Sequence, residues 1–319
     1  MDLSIIIVNW NTRELLKDCL KSIEAKTRQV NYEVIVVDNS STDGSPEMVS
    51  EVFPDVNLIE NKENPGFARA NNQGLAASKG KYVLFLNPDT KILSNALDGM
   101  IQFLENNEEY GAVGCRLVTS DGNIQFTCAR AFPTLLNQLS EFLFFHRLFP
   151  RQRRFSTVEI FYWDHRDSRE VDCLSGACIL VRGNLIRDIA GFSEEYYMYA
   201  EDVDLCYRIR KLGWKIYYLA EESILHIGGA ASRQREESYF SVVTMKQSNF
   251  QFLKAHYGTS KAELFKMICL IGSILRMIGA PGIYIYDRWS SKKEIYPLRH
   301  WLKKYYAIMA WSLGVNNRK

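Results

Sequence analysis

Apolar positions follow two alternating rhythms over the first hundred residues. Residues 3–8 form an almost unbroken run of Leu, Ile and Val, which predicts a strand buried on both faces. Over 12–25, Leu15, Leu16, Cys19, Leu20 and Ile23 recur at helical spacing and predict a helix with one apolar face. Further strands are expected at 32–37, 56–59 and 81–86, and further helices at 45–53, 67–78 and 95–105. Near-continuous Val/Ile strands separated by helices imply a Rossmann-like α/β layout, a mostly parallel sheet covered by helices on both faces. Such sheets take their ligands at the carboxyl ends of the strands.

Those ends carry polar clusters. The first strand runs into Asn9-Trp10-Asn11, the second into Asp38-Asn39-Ser40, and the fourth into Asn87-Pro88-Asp89. Three polar clusters on one rim point to one site. The rhythm then changes. Residues 115–118 and 124–128 flank Asp121-Gly122-Asn123 and read as a hairpin. Residues 132–167 look irregular, aromatic and basic, with Phe142 and Phe145 followed by Arg147, Arg151, Arg153 and Arg154. They read either as an insertion with acceptor or membrane contacts or as a surface loop. A strand pair around Ser175-Gly176 is expected over 171–181, a helix over 201–212, and a strand over 215–219 that leads to His226-Ile227-Gly228-Gly229. Helical patterns dominate after 232.

The expected layout is an α/β domain over 1–230, with the insertion at about 131–168, and a helical extension over 231–319. Within the extension, 266–286 is apolar enough to raise the question of a bilayer. Arg276 near its centre costs about 2.5–3.5 kcal/mol on insertion scales. Lying in the membrane interface is the favoured reading, with packing on protein and spanning as the alternatives.

Hydrophobic residues make up 47% and charged residues 24%, ordinary for a globular protein. The formal net charge is +2, so no global field calls for nucleic acid. Residues 287–319 hold eight basic residues against two acidic ones, a net +6, which leaves −4 on the rest. A basic tail on an acidic body suits a membrane surface or an anionic partner, or is a solvated helix. The seven cysteines are scattered, with no CxxC pair or metal-ligand spacing, which fits a reducing cytoplasm. The start shows no basic n-region or cleavage site, so export is not expected.

Each polar cluster has two readings. Asp89 suits Mg²⁺ or Mn²⁺ held against a diphosphate, since hard ions take oxygen ligands; it also suits a turn. Asp38 can accept from the ring N–H of a pyrimidine, or can simply belong to the turn that Asp43 caps. Asn64-Pro65-Gly66 opens a helix where phosphate is favoured, and Arg69 adds a positive charge nearby. Glu201, Asp202 and Asp204 at a helix start satisfy the helix dipole, and one of them can act as a general base. His226, ahead of two glycines, is either structural or a metal ligand.

Taken in order, these segments resemble the family 2 glycosyltransferases of GT-A fold, with the nearest likeness to the bacterial rhamnosyltransferase branch. The matching pieces are Val8-Asn9-Trp10-Asn11, the run from Val37 to Gly44, Asn64-Pro65-Gly66-Phe67, Leu86-Asn87-Pro88-Asp89, Ser175-Gly176-Ala177, Gly191-Phe192-Ser193-Glu194, the run from Glu201 to Arg208, Gly213-Trp214, and His226 with Gly229. The resemblance covers about 3–230. It implies that Asp38 binds the base and that Asn9, Asn64, Gly66, Arg69 and Asn87 line the nucleotide-sugar pocket. It implies Asp89 and His226 as metal ligands, Asp202 as catalytic base, and Glu201 as its supporting acid. The usual first aspartate of the metal motif is Asn87 here, which shifts the burden to Asp89, His226 and the diphosphate.

The implied activity is inverting, Mg²⁺- or Mn²⁺-dependent transfer of a sugar, with L-rhamnose from dTDP-L-rhamnose favoured. The implied acceptor is a saccharide or lipid-linked saccharide of the bacterial cell surface. The apolar segment and basic tail of the C-terminal helices, which lie outside the resemblance, give the expected place: the cytoplasmic face of the membrane, with contact through those helices. A UDP-sugar donor (galactofuranose, glucose or N-acetylglucosamine) is the alternative, and an inactive membrane-associated scaffold the non-enzymatic one. Homo-oligomerisation stays open.

Overall fold

The structure is a computed structural model that describes all residues except 144, 150, 153–155, 161, 197, 229–238, 291–297 and 316–319. Gly229, Arg153, Arg154, and the tail residues Lys292, Lys293, Arg318 and Lys319 therefore lie outside the described residues. The chain divides into two compact units, one of residues 1–132 and 163–235, the other of residues 133–162 and 236–319. The aromatic, basic stretch in mid-chain thus falls largely with the C-terminal helices.

The first unit opens as β1 (Leu3–Asn9), α1 (Arg13–Lys26), β2 (Tyr32–Asp38), α2 (Ser45–Val52), β3 (Asn57–Glu60), α3 (Phe67–Ala77) and β4 (Tyr82–Leu86). β5 (Thr90–Ile92), α4 (Ala96–Asn106) and β6 (Tyr110–Val118) follow, then a 3₁₀ turn at Phe126–Cys128 and β7 (Ala129–Arg130). The main sheet has nine strands in the order β3-β2-β1-β4-β10-β6-β11-β5, with β8 (Arg169–Glu170) beside β11; β10 is Cys178–Arg182 and β11 Lys215–His226. β1 lies parallel to β2 and β4, and β2 parallel to β3, while β10 runs antiparallel between β4 and β6. The strand order reverses beside β1, so the carboxyl ends of β1 and β4 open a crevice of the kind that holds nucleotides.

β1 is buried along its whole length, as its run of Ile5, Ile6, Ile7 and Val8 requires when helices cover both faces. The small residues of α3 have a purpose. A Cβ on Gly74 would fall 2.5 Å from Ile6 Cγ2, so only glycine lets α3 approach β1 this closely.

Three expectations differ in detail. The hairpin after β6 has one bridge, Val118 to Ile124, before the chain turns into the 3₁₀ helix, because Gln125 is drawn toward His226. The strands on either side of Ser175-Gly176 do not pair together. β9 (Cys173–Leu174) joins β7 in a small separate sheet, and β10 joins the main one. The strand at 215 continues to His226, well past 219, because β6 and β5 pair with its second half. α7 (Gly183–Asp188) and α8 (Glu201–Lys211) complete this unit.

The second unit holds α5 (Leu135–Phe142), α6 (Phe145–Leu148), α9 (Phe240–Tyr257), α10 (Thr259–Ser290) and α11 (Leu298–Ser312). α5 starts with a capping box, in which Asn137 N donates to Thr134 Oγ1 and Thr134 N to Asn137 Oδ1, so this stretch is less irregular than expected. Phe142, Leu253, Ala262, Phe265, Cys269, Tyr305 and Ile308 form its core. Arg276 donates to Tyr305 Oη and to the carbonyl of Glu141 within this unit. Among the described residues no helix is long and apolar enough to cross a membrane.

Candidate active site

The rim of the first unit gathers the polar clusters. Asn9 and Asp38 are register partners at the ends of β1 and β2, and both are buried. Asn9 Nδ2 donates to Asp38 Oδ1 at 2.7 Å and to Ser41 Oγ at 3.1 Å, while Ser41 N donates to Asp38 Oδ2 at 2.8 Å. The Asp38 carboxylate is thus held by donors on both oxygens, which fixes its orientation. Asn11 and Ser40 beside it have φ of 53° and 61°, left-handed values that non-glycine residues avoid and that cluster at functional sites.

Asn39 extends this network toward α3. Its Nδ2 donates to Asn64 Oδ1 at 3.2 Å, and Asn64 Oδ1 also accepts from Gly66 N at 3.0 Å. Gly66 has φ of 93° just before α3 starts, so glycine is required there. Arg69 is exposed in the first turn of that helix. Asn87 contributes its backbone: its N donates to Ala177 O at 3.0 Å, and its carbonyl accepts from Thr90 Oγ1 at 2.7 Å.

Asp89 and His226 meet although 137 positions separate them in the chain. β5 pairs antiparallel with the end of β11, with Thr90 opposite His226, and Ile227 N donates to the Asp89 carbonyl. His226 Nε2 then lies 3.3 Å from Asp89 Oδ1, with both side chains nearly covered. On the other side of the ring, Nδ1 is 2.8 Å from Gln125 Oε1. Among the described residues no group of three or more His, Cys, Asp or Glu side chains gathers to hold a metal. A carboxylate and an imidazole nitrogen aimed at one point do fit a divalent ion that fills its remaining positions with phosphate and water.

Asp202 sits in the first turn of α8, buried. Its Oδ2 accepts from Gly176 N at 2.9 Å and from Arg130 Nη2, and its Oδ1 accepts from Val203 N at 2.8 Å. Position 176 lies close under it, since a Cβ there would be 3.4 Å from Asp202 Cβ. Gly176 adjoins Ala177, whose carbonyl takes Asn87 N, so one short loop ties Asp202 to the turn that carries Asp89. Tyr199 and Ala200, just before the helix, have φ of 65° and 68°. Beside Asp202, burial and then the neighbouring Asp202 charge push the Glu201 carboxyl up to about 8. Asp204 has a different duty: it accepts from Arg208 Nε at 2.7 Å and Tyr196 Oη at 3.3 Å, and so braces the helix.

The fold therefore brings Asn9 to Asp38, Asn64 to Gly66, and Asp89 to His226, and links the Asp202 loop to the Asn87 turn. Arg130 and Gln125 were not expected. Arg130 is the last residue of the two-residue β7, with nothing local to mark it; burial works against its charge, but the Asp202 carboxylate outweighs that and raises its pKa above the ordinary value. Gln125 sits in a stretch that read only as a hairpin arm.

A Rossmann-like, mostly parallel sheet with polar clusters gathered at its carboxyl rim is the architecture of the GT-A fold. The comparisons with known proteins carry this to a family. The model of glycosyl transferase family 2 matches residues 4–182, more than half of the chain, and the protein belongs to that family: it is a glycosyltransferase. It is similar to N-acetylglucosaminyl-diphospho-decaprenol L-rhamnosyltransferase of Mycobacterium tuberculosis, 29% identical over 280 residues that cover 82% of this chain and 87% of the relative. It is 26% identical over 244 residues to rhamnosyltransferase WbbL of Escherichia coli, covering 74% of this chain and 86% of the relative. Among solved structures, mannosyltransferase PcManGT of Pyrobaculum calidifontis, in complex with GDP-Man and Mn²⁺, aligns with a TM-score of 0.61 at 17% identity. That alignment covers 98% of this chain and 86% of the other, and shows the fold.

Proposed function

We propose that this chain is a metal-dependent, inverting glycosyltransferase that moves L-rhamnose from dTDP-L-rhamnose to a lipid-diphosphate-linked saccharide during bacterial cell-surface polysaccharide synthesis. The observation that carries the proposal is the meeting of Asp89 and His226 at 3.3 Å on the rim to which Asp202 is tied. The donor and acceptor classes rest on the two rhamnosyltransferase relatives, one of which is named for a decaprenol diphosphate acceptor.

Asp38, held by Asn9 and Ser41, offers a fixed acceptor for the ring N–H of thymine. Asn64, Gly66 and the start of α3 face the phosphates, where backbone N–H groups favour an anion, and Arg69 adds charge. Asp89 and His226 would hold Mg²⁺ or Mn²⁺, and that ion when bound supplies positive charge to the departing diphosphate. Asp202 takes the proton of the acceptor hydroxyl. Its Oδ2 is already filled by Gly176 N and Arg130, whereas Oδ1 accepts one bond and has a lone pair left, so Oδ1 is the basic atom. The acceptor oxygen then bonds to the anomeric carbon as the bond from that carbon to the diphosphate oxygen breaks, and the configuration inverts. Arg130 and Gly176 keep the carboxylate in position for this proton transfer.

The second unit supports attachment to a cytoplasmic membrane face. Leu264, Met267, Ile271, Ile274, Leu275 and Ile278 are all exposed on α10 at steps of three and four residues, which lines them along one helix face. Such a face next to basic segments suits an anionic lipid surface, where the lipid-linked acceptor also resides.

A panel of nucleotide-sugars, assayed by release of the nucleoside diphosphate with Mn²⁺ or Mg²⁺, tests the donor. dTDP-L-rhamnose is expected to give the highest kcat/KM, and D202N is expected to nearly abolish transfer while dTDP still binds. Turnover by D202N at saturating donor, with dTDP binding lost, would refute the role of Asp202.

A further inference from the structure

One residue grips the His226 imidazole from the side opposite Asp89. Gln125 follows the turn after β6, anchored by its N donating to Leu117 O at 2.9 Å. Its amide reaches His226 twice: Nε2 donates to the His226 carbonyl at 2.6 Å, and Oε1 lies 2.8 Å from Nδ1. A backbone carbonyl oxygen can only accept, so the amide nitrogen must face it. That orientation turns Oε1 to the ring. Oε1 also can only accept, so Nδ1 has to carry a hydrogen. Nε2, 3.3 Å from Asp89 Oδ1, is then the ring atom that can offer a lone pair.

We propose that Gln125 is a positioning residue that locks the Nδ1–H form of His226, so that Nε2 presents its lone pair beside Asp89 to a divalent cation. The inference rests on the metal-dependent reading above. Without Gln125 nothing forces the hydrogen to Nδ1, and the Asp89 carboxylate favours an Nε2–H that donates to it. The nitrogen meant for the ion would then be capped by a proton, and the ring would lose one of the two contacts that set its angle. Outer partners of ligating histidines act in this way, and their loss typically weakens metal binding by about 10–100-fold.

The test uses the full-length protein and two readouts besides activity. First, ¹⁵N NMR of the metal-free wild type is expected to show His226 carrying hydrogen on Nδ1, assigned with H226A; a neutral ring with hydrogen only on Nε2 would overturn the proposal. Second, Mn²⁺ affinity is measured by EPR in the presence of dTDP. Q125L is expected to weaken Mn²⁺ by about 10–100-fold, with dTDP affinity in the absence of metal unchanged. Q125E keeps an acceptor for Nδ1–H and is expected to recover a large part of the loss. H226A separates the two levels of the claim. If H226A leaves Mn²⁺ affinity intact, the metal site itself is wrong. If H226A weakens Mn²⁺ while both Gln125 variants bind it as the wild type does, the site stands and the role of Gln125 falls.

Discussion

The pairing of Arg130 with Asp202 makes a quantitative claim. The two side chains are 21% and 11% exposed, and the ion pair is one of three hydrogen-bonding contacts on the carboxylate. R130M removes the counter-charge and leaves Asp202 with two backbone N–H donors. Breaking a buried pair from one side costs about 3–5 kcal/mol, and the residual exposure puts this one near 3 kcal/mol. For a unit the size of residues 1–132 with 163–235, that is a fall in Tm of about 6–12 °C. D202N strands the arginine and should cost a comparable amount. The double variant carries no unpaired buried charge, so its loss should fall short of the sum by about 2 kcal/mol. Differential scanning calorimetry of the four proteins at one pH measures the cycle. Additivity within about 0.5 kcal/mol would mean that the pair is not coupled, and that Arg130 does not hold the base.

Three further outcomes are expected. Glu201 has its folded-state value raised from 4.5 to about 8, so the folded protein keeps a proton that the unfolded chain has released; stability should fall as pH rises from about 4.5 to about 8 and level off above. E201Q removes that slope, so its Tm relative to wild type should be higher at pH 8.5 than at pH 5, and equal differences at both would contradict the assignment. G74A forces a methyl to within 2.5 Å of Ile6 Cγ2 and should destabilise by about 1–3 kcal/mol in chemical denaturation, whereas no change would mean that α3 does not approach β1 so closely. The pair I271E/I274E puts charge on the exposed face of α10; it should lose flotation with anionic liposomes and keep transfer to a soluble acceptor, and unchanged flotation would remove that face from the membrane proposal.

The sheet could be read from the chain where burial is two-sided. β1, β2 and β4 announce themselves by apolar runs that end in polar residues, and the clusters at those ends stand on one rim. β5 could not be read, because three residues after a turn carry no periodicity of their own, yet it is β5 that brings Asp89 to His226. Arg130 and Gln125 were hidden for a related reason. Each acts through a partner about 70 to 100 positions away, and such contacts leave no local pattern. α5 did carry a signal, since Thr134 and Asn137 are spaced as a cap, but the surrounding aromatic and basic residues obscured it.

The most direct measurement is an anomalous-scattering experiment on crystals grown with Mn²⁺ and dTDP. A single manganese peak is expected, bound by an Asp89 oxygen, His226 Nε2 and the diphosphate, on the rim that also holds Asp202. A manganese ion bound to the nucleotide but out of reach of both Asp89 and His226, or nucleotide seated away from Asp38, would contradict the proposed site.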